Sequence, residues 1–264
     1  MDKVQAIFVS HGGGPMPLLG DPDHLELVQC LKELAQSIEK PAAILLVSAH
    51  WETPIPALTA GAQPELIYDY YGFPEESYRI TYPCPGHPEL AGKIDALLQD
   101  QGFVVQLDQD RGFDHGMFVP MKLMYPQADI PCVQLSLLKN LNPADHLRMG
   151  SALAGLEQQG VLVIGSGYSF HNLRAFYAAP TPEIGQANRA FEQWLIETCC
   201  SVGLTEQQRE QRLLEWEQAP YARFCHPREE HLLPLHVCYG KERRPCSRNI
   251  ELAIGGKDAS IFIW

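Results

Sequence analysis

The chain has 264 residues, 45% of them hydrophobic and 20% charged, with a formal net charge of −12. That is enough apolar matter for a full core in one large domain, and the wrong sign of charge for a partner bound through a nucleic-acid backbone. The longest apolar runs, AAILLV and GVLVIG, fall far short of the ~20 residues of a membrane helix, and no basic, signal-like leader opens the sequence, so neither a membrane nor export is expected.

The first strand-like run, 4–10, lies in VQAIFVSHGGGP and ends on His11 and three glycines. A helix is expected over Asp23 to Glu39, then a second strand, 43–49, that ends on His50. The proline-rich stretch 53–88 has no periodic pattern. Its aromatics Tyr68, Tyr70, Tyr71, Phe73, Tyr78 and Tyr82 predict an ordered excursion packed over one face, and with Tyr168 they are candidates for stacking on a ring. A helix over Pro88 to Asp100 starts on His-Pro, with His87 read as a surface or capping group, and a strand follows at 103–107. His115 in RGFDHGMFVP precedes a short helix, Val119 to Tyr125; next come a strand at 130–137 and an Asn-Pro-initiated helix, Pro143 to Gln158.

The strand 160–166 runs through GVLVIGSGYSFHNL to His171. Helices are expected over Pro182 to Ser201, Glu206 to Trp216 and Arg228 to Tyr239, the last opened by Glu229, Glu230 and His231. KERR, at Lys241 to Arg244, reads as a solvated loop, and strands at 249–254 and 259–263 close the chain. His24, His146 and His226, near helix starts, read as surface or capping groups, and His236 as packed. The cysteines Cys30, Cys84, Cys132, Cys199, Cys200, Cys225, Cys238 and Cys246 form no CxxC pair. They point to a reduced, cytoplasmic setting, with Cys199 and Cys200 as small helix hydrophobes.

Strands alternating with helices, most strands continuously apolar, predict an α/β fold: a single domain over 1–264 with a mainly parallel central sheet flanked by helices. Ligands of such sheets collect outside the carboxyl ends of the strands. His11, His50 and His171 fall there, with His115 close by, which makes a candidate metal site. Imidazole suits zinc, iron, copper and nickel, and a mononuclear Fe(II) oxygen site commonly uses two His with a carboxylate or a third His. HPREEHLLPL offers the remaining ligand, and of adjacent Glu229, Glu230 and His231 only one or two can face a given point. HGGGP lacks the spacing of a nucleotide loop.

Seven short patterns in order, HGGGPM, VSAHW, YGFPEESYRITYPCPG, GFDHG, ADIPCVQLSL, GSGYSFHNLR and EEHLLPL, resemble the class III extradiol ring-cleavage dioxygenases of the 4,5-DOPA dioxygenase type. The resemblance spans about residues 4 to 240. It implies an α/β oxidoreductase that opens a small catechol such as DOPA between a hydroxyl-bearing carbon and its unsubstituted neighbour, inserting both atoms of O2. It also implies a non-haem metal, usually Fe(II), with Zn(II) often bound instead. By the same resemblance His11, His50 and His231 hold the metal, and His171 joins the site as acid/base group or further ligand. His115 is expected to contact substrate or oxygen. Glu230 remains the alternative to His231, because related enzymes use a glutamate there.

The chemistry is coherent with those roles. An ion that holds catechol and oxygen side by side replaces a bimolecular encounter. A base active near neutral pH, here His171, takes the second hydroxyl proton. His115, oriented by Asp114, would stabilise negative charge developing on oxygen. HGGGP, where the relatives more often carry HGSP, and GYSF before His171 imply pocket walls of their own. Two rival readings use the same residues: a zinc-dependent hydrolase and a metal-binding protein without catalysis. No oligomeric state follows from the sequence.

Overall fold

The computed structural model describes residues 4–264. In chain order its elements are β1 (Ala6–Ser10), α1 (Leu25–Ser37), β2 (Ala43–Thr53), β3 (Ala57–Thr59), α2 (Pro88–Asp100), β4 (Gln106–Asp108), α3 (His115–Met124), β5 (Cys132–Leu138) and α4 (Pro143–Ala152). They continue as β6 (Val161–Gly167), α5 (Leu173–Tyr177), α6 (Pro182–Cys200), α7 (Glu206–Leu214), α8 (Ala222–Cys225), α9 (Leu233–Glu242), β7 (Arg248–Ile254) and β8 (Lys257–Ile263). One sheet takes all the strands in the order β4-β3-β5-β2-β6-β1-β8-β7. Its centre, β5-β2-β6-β1, is parallel, and antiparallel pairs enter at β3 with β5, β8 with β1 and β7 with β8.

Every residue of β1, β5 and β6 is buried, as continuous apolar runs demand when a parallel sheet is covered on both faces. The covering helices approach closely. On β6 a Cβ at Gly167 would come within 2.1 Å of the His231 carbonyl, and one at Gly165 within 2.5 Å of the Pro234 carbonyl. Glycine at both places therefore lets the lead-in of α9 lie directly on the strand. Ser166, between them, faces the other side and meets α3.

Most predicted helix starts are found with their caps. Asn142, Thr181 and Thr205 accept from backbone N–H groups in the first turns of α4, α6 and α7, and His87 does so for α2. Elsewhere the structure corrects the reading. The strand expected at 103–107 is reduced to Gln106–Asp108, an edge strand paired only with the unforeseen β3, and edge strands are kept short. α3 begins at His115, ahead of the expected Val119. The helix expected from Arg228 begins at Leu233, leaving Glu230 and His231 in the turn before it.

His24, His146 and His226 are buried rather than surface groups. His24 accepts at Nε2 from the Gly13 N–H and binds Asp21 through Nδ1, so it pins the glycine loop. His146 Nε2 accepts from the Leu138 N–H, and His226 Nε2–H donates to the Ser169 carbonyl. His236 is packed as expected. KERR is not a fully solvated loop: Lys241 sits within α9 with its side chain buried against Glu242. Cys200 is not a lone helix hydrophobe but forms a disulfide with Cys246, 46 residues on. Spacing cannot reveal such a pair, because the end of α6 meets the chain entering β7 only in the fold, where Cys246 N–H donates to Cys199 O. Among the described residues no helix is long and apolar enough to cross a membrane.

Candidate metal centre

β1 and β2 flank β6, so about 10 Å of sheet separates their backbones, yet side chains at their carboxyl ends meet above β6. His11 directly follows β1, held by its N–H to the Gly167 carbonyl at 3.0 Å. His50 lies within β2 rather than beyond it, in an irregularity where Val47 pairs with Leu135 but Glu52 already pairs with Leu137. Such a bulge re-aims a side chain. His231 arrives from the turn before α9. His50 Nε2 is 3.1 Å from His11 Nε2 and 3.3 Å from His231 Nε2.

The outer nitrogens fix the tautomers. Pro120 lies inside α3 and has no N–H for the carbonyl of Gly116, one helical turn back. The Ser166 hydroxyl donates to that carbonyl instead. With its proton committed, Ser166 Oγ accepts from His11 Nδ1–H at 3.0 Å, which leaves a lone pair on His11 Nε2. His231 Nδ1–H donates to Glu230 Oε1 at 2.9 Å, with the same result. His50 Nδ1 faces Asp69 Oδ2 at 3.9 Å.

The Nε2 lone pairs of His11 and His231 thus converge on His50 Nε2. Burial, and next the charges of neighbouring histidines, hold His11 and His50 well below the ordinary histidine pKa. Burial and His171 bring His231 down to about 3, against the pull of Glu230. Neutral imidazoles are what a cation requires. A metal–nitrogen bond of ~2.1 Å, with angles between octahedral and tetrahedral, separates its nitrogens by about 3.0–3.4 Å, so these residues fit a metal ion.

Around them stand the other two predicted histidines. The His171 ring stacks on His231, centroids 3.3 Å apart and 16° from parallel, and its Nδ1 lies 3.2 Å from Glu230 Oε1. It groups with Glu230 and His231, not with the His11, His50 and His231 nitrogens. Glu230 touches Nδ1 of both rings, away from the converging Nε2 atoms. Burial alone would raise its pKa, but hydrogen bonds from His171 and His231 hold it far below the usual carboxylate range.

His115 lies with its ring centroid 3.9 Å from that of His50, and its orienting partner is not Asp114. Asp69 Oδ1 accepts from both the His115 N–H and Nδ1–H, each at 2.9 Å. Burial would raise the Asp69 pKa, but His115 pulls it below the ordinary value. Asp114 turns inward, fully buried, to accept from Ser48 Oγ–H at 2.7 Å, from Arg111 at 3.1 Å and from Gln134. Burial raises its pKa. Ser48 Oγ in turn accepts from the His50 N–H at 3.1 Å. Asp69, Ser48 and Ser166 had not been singled out in the sequence. The one available signal was Asp69, an acid set among tyrosines in YDYY.

A cavity of about 190 Å³ opens beside these histidines. Gly12, Gly13 and Gly14 line it, with Tyr70, Phe73, Tyr168 and Phe176 among the aromatics. Of the tyrosines and phenylalanine at 68–82, Tyr68 packs edge-on with Phe118 and Tyr78, and Tyr70 with Phe73, whereas Tyr71 is exposed.

Residues 5–244 match the family described as the catalytic LigB subunit of aromatic ring-opening dioxygenase. The chain is 40% identical over 257 residues to dioxygenase tasH of Hapsidospora irregularis, covering 91% of this chain and 78% of that one. It is 40% identical over 239 residues to 4,5-DOPA dioxygenase extradiol of Beta vulgaris, covering 89% and 86%. The crystal structure of an uncharacterized protein from Escherichia coli K12 superposes with a TM-score of 0.77 at 30% identity, covering 99% of each chain.

Proposed function

The chain belongs to the family of catalytic LigB subunits of aromatic ring-opening dioxygenases, and from that premise we propose that it cleaves a catechol at the centre built from His11, His50 and His231. It is an oxidoreductase, a metal-dependent extradiol dioxygenase that takes an aromatic substrate and O2. The observation that carries the assignment of the ligands is the convergence of their Nε2 atoms, 3.1 and 3.3 Å apart across His50, with the opposite nitrogens of His11 and His231 engaged by Ser166 and Glu230.

When bound, Fe(II) supplies open positions that bring both hydroxyls of a catechol and O2 together; Zn(II) would occupy the same donors. The protein's part is to place and move protons. His171, its Nδ1–H held by Glu230, receives at Nε2 the proton of the second substrate hydroxyl, and Glu230 stabilises the imidazolium that results. It returns that proton as the ring opens. His115, paired through Nδ1 with ionised Asp69, takes a proton on Nε2 and then donates a hydrogen bond to negative charge gathering on oxygen. The aromatic wall keeps water from the opened ring. The reading treats 1–264 as one catalytic domain working in a reducing cytoplasm. Six cysteines remain unpaired among the described residues, and the Cys200–Cys246 disulfide runs against that setting.

Relatives named for DOPA make that amino acid one of the first catechols to assay. Protein purified without oxygen and loaded with Fe(II) should, on mixing with a catechol in air, consume one O2 per ring and form a yellow ring-fission product. Metal-loaded protein that takes up no oxygen across a catechol panel would overturn the proposal. Ester or amide hydrolysis by the Zn(II) form would then favour the hydrolase.

A further inference from the structure

The cavity has two unlike ends. Its inner end is imidazole, but its outer wall is Tyr70, Phe73, Phe170, Leu173, Phe176 and Tyr177. Among the described residues that line it, none is Asp, Glu, Lys or Arg. Two polar groups of that wall are committed, whereas the buried hydroxyl of Tyr168, which also lines the cavity, has no partner among the described residues. Tyr70 donates its hydroxyl to the Ser77 carbonyl at 2.7 Å. Asn172 donates to the Phe224 carbonyl at 2.6 Å and accepts from the Ala175 N–H at 3.0 Å. Lys257, whose Nζ stands 5.9 Å from the Phe176 ring centroid, is buried and is not a lining residue. Among the described residues the wall therefore offers no charged side chain to pair with an ammonium or a carboxylate.

Its rim, in contrast, presents bare apolar surface. Leu173 is 55% exposed and Tyr177 74% exposed, although both line the cavity. They lie four apart on α5 and so share one face of that helix. At about 190 Å³ the cavity is smaller than the ~300 Å³ at the low end of drug-sized pockets. One ring and little more fits inside, and a substituent on the ring must pass outward across the rim.

We infer that the catechol this enzyme cleaves carries an uncharged, apolar substituent, covered at the rim by Leu173, Phe176 and Tyr177, and that DOPA is the poorer substrate. This rests on the ring-cleaving reading and narrows it. The amino-acid end of DOPA gains no partner by crossing the rim and leaves the apolar face wet, whereas an alkyl or aryl group removes that face from water.

The test compares kcat/KM of the Fe(II)-loaded enzyme for unsubstituted catechol, 4-propylcatechol and DOPA. Binding of the last two to the Zn(II)-loaded protein is measured in parallel by calorimetry. Three carbons half covered should favour 4-propylcatechol over DOPA by about tenfold in both kcat/KM and Kd. Leu173→Lys, an exposed and foldable change that places a cation beside the DOPA carboxylate, should shift that ratio about tenfold toward DOPA. Tyr177→Ala should lower kcat/KM for 4-propylcatechol more than for DOPA. If unsubstituted catechol is cleaved but DOPA equals or exceeds 4-propylcatechol, or Leu173→Lys leaves the ratio unmoved, this inference alone is wrong. If no catechol is cleaved at all, the ring-cleaving reading falls and takes this one with it.

Discussion

Replacing Glu230 with Gln keeps the shape of the side chain and removes its charge, which isolates what that carboxylate does for the imidazoles it touches. Oε1 lies 2.9 Å from His231 Nδ1 and 3.2 Å from His171 Nδ1. Arg228 approaches Oε2 at 3.3 Å, but its side chain is 51% exposed, so that contact adds little. A hydrogen bond to a charged group contributes about 1.5–3 kcal/mol, against about 0.5–1.5 for a neutral one. Only the contact to His231 bears on a proposed ligand, and weakening it by about 1 kcal/mol amounts to roughly fivefold in affinity, just below the range typical of groups that orient metal-bound histidines. Titration of the Zn(II)-loaded variant against a competing chelator reads this directly. Glu230→Gln should bind zinc about fivefold more weakly yet purify with metal, whereas His231→Ala, which deletes a donor, should lose it. Should Glu230→Gln come out metal-free while His231→Ala stays loaded, the glutamate is the ligand and the donor set argued above is wrong. Affinity within twofold of the native protein would show instead that the carboxylate does not tune the imidazoles.

Asp69→Asn should retain metal but lower kcat by about tenfold or more, since it frees the ring of His115 and weakens its hold on a proton; unchanged turnover would remove Asp69 from the mechanism. Ser166→Ala should weaken Zn(II) binding by about tenfold and, because it leaves the buried Gly116 carbonyl without a donor, should also cost about 1–3 kcal/mol of folding stability, measured by chelator competition beside urea denaturation. Gly167→Ala drives a Cβ to within 2.1 Å of the His231 carbonyl, and because backbone cannot give way as a side chain can, the unfolding free energy from urea titration should fall by at least about 2 kcal/mol. Metal-free protein should lose stability as pH falls from 6.5. Burial lowers His146 to about 4 and His226 to about 3 in the fold. The unfolded chain then binds more protons over that interval, and each residue costs about 2 kcal/mol by pH 5. A Tm that stays flat between pH 7 and 5 would refute the buried neutral state of both.

How much of this was legible in the sequence depended on distance along the chain. A strand that ends on histidine followed by glycines is a local pattern, and His11 needed nothing else. His50 was found for the same reason, although β2 continues past it and the irregularity between Val47 and Glu52 does the aiming. Contacts between segments far apart were not legible. Asp69 reaches His115 across 46 residues, and His226 reaches Ser169 across 57. Adjacency even misled at Asp114: it precedes His115 with extended backbone, φ −78° and ψ 173°, and its side chain departs toward Ser48 and Gln134. The histidines read as surface groups failed likewise, since a helix start says nothing about what lies over it.

The polar layer beneath the centre explains why the strand serines were overlooked and why they matter. Ser10, Ser48 and Ser166 sit in runs that otherwise read as buried apolar strand, and all three are fully buried. A buried hydroxyl is costly unless it is hydrogen-bonded, so each must find partners, and the partners are the backbone and side chains that carry the histidines. Ser48 ties the His50 N–H to Asp114. Ser10 links the Ser260 carbonyl to the Ser169 N–H beside His171. Ser166 takes up the Gly116 carbonyl that Pro120 leaves without a donor, and thereby fixes the tautomer of His11. A proline inside a helix, ordinarily a defect, here frees the acceptor that orients the Ser166 hydroxyl against the His11 imidazole. The same hydroxyls that satisfy the interior thus set the donor geometry, and stability and ligand placement rest on one set of hydrogen bonds.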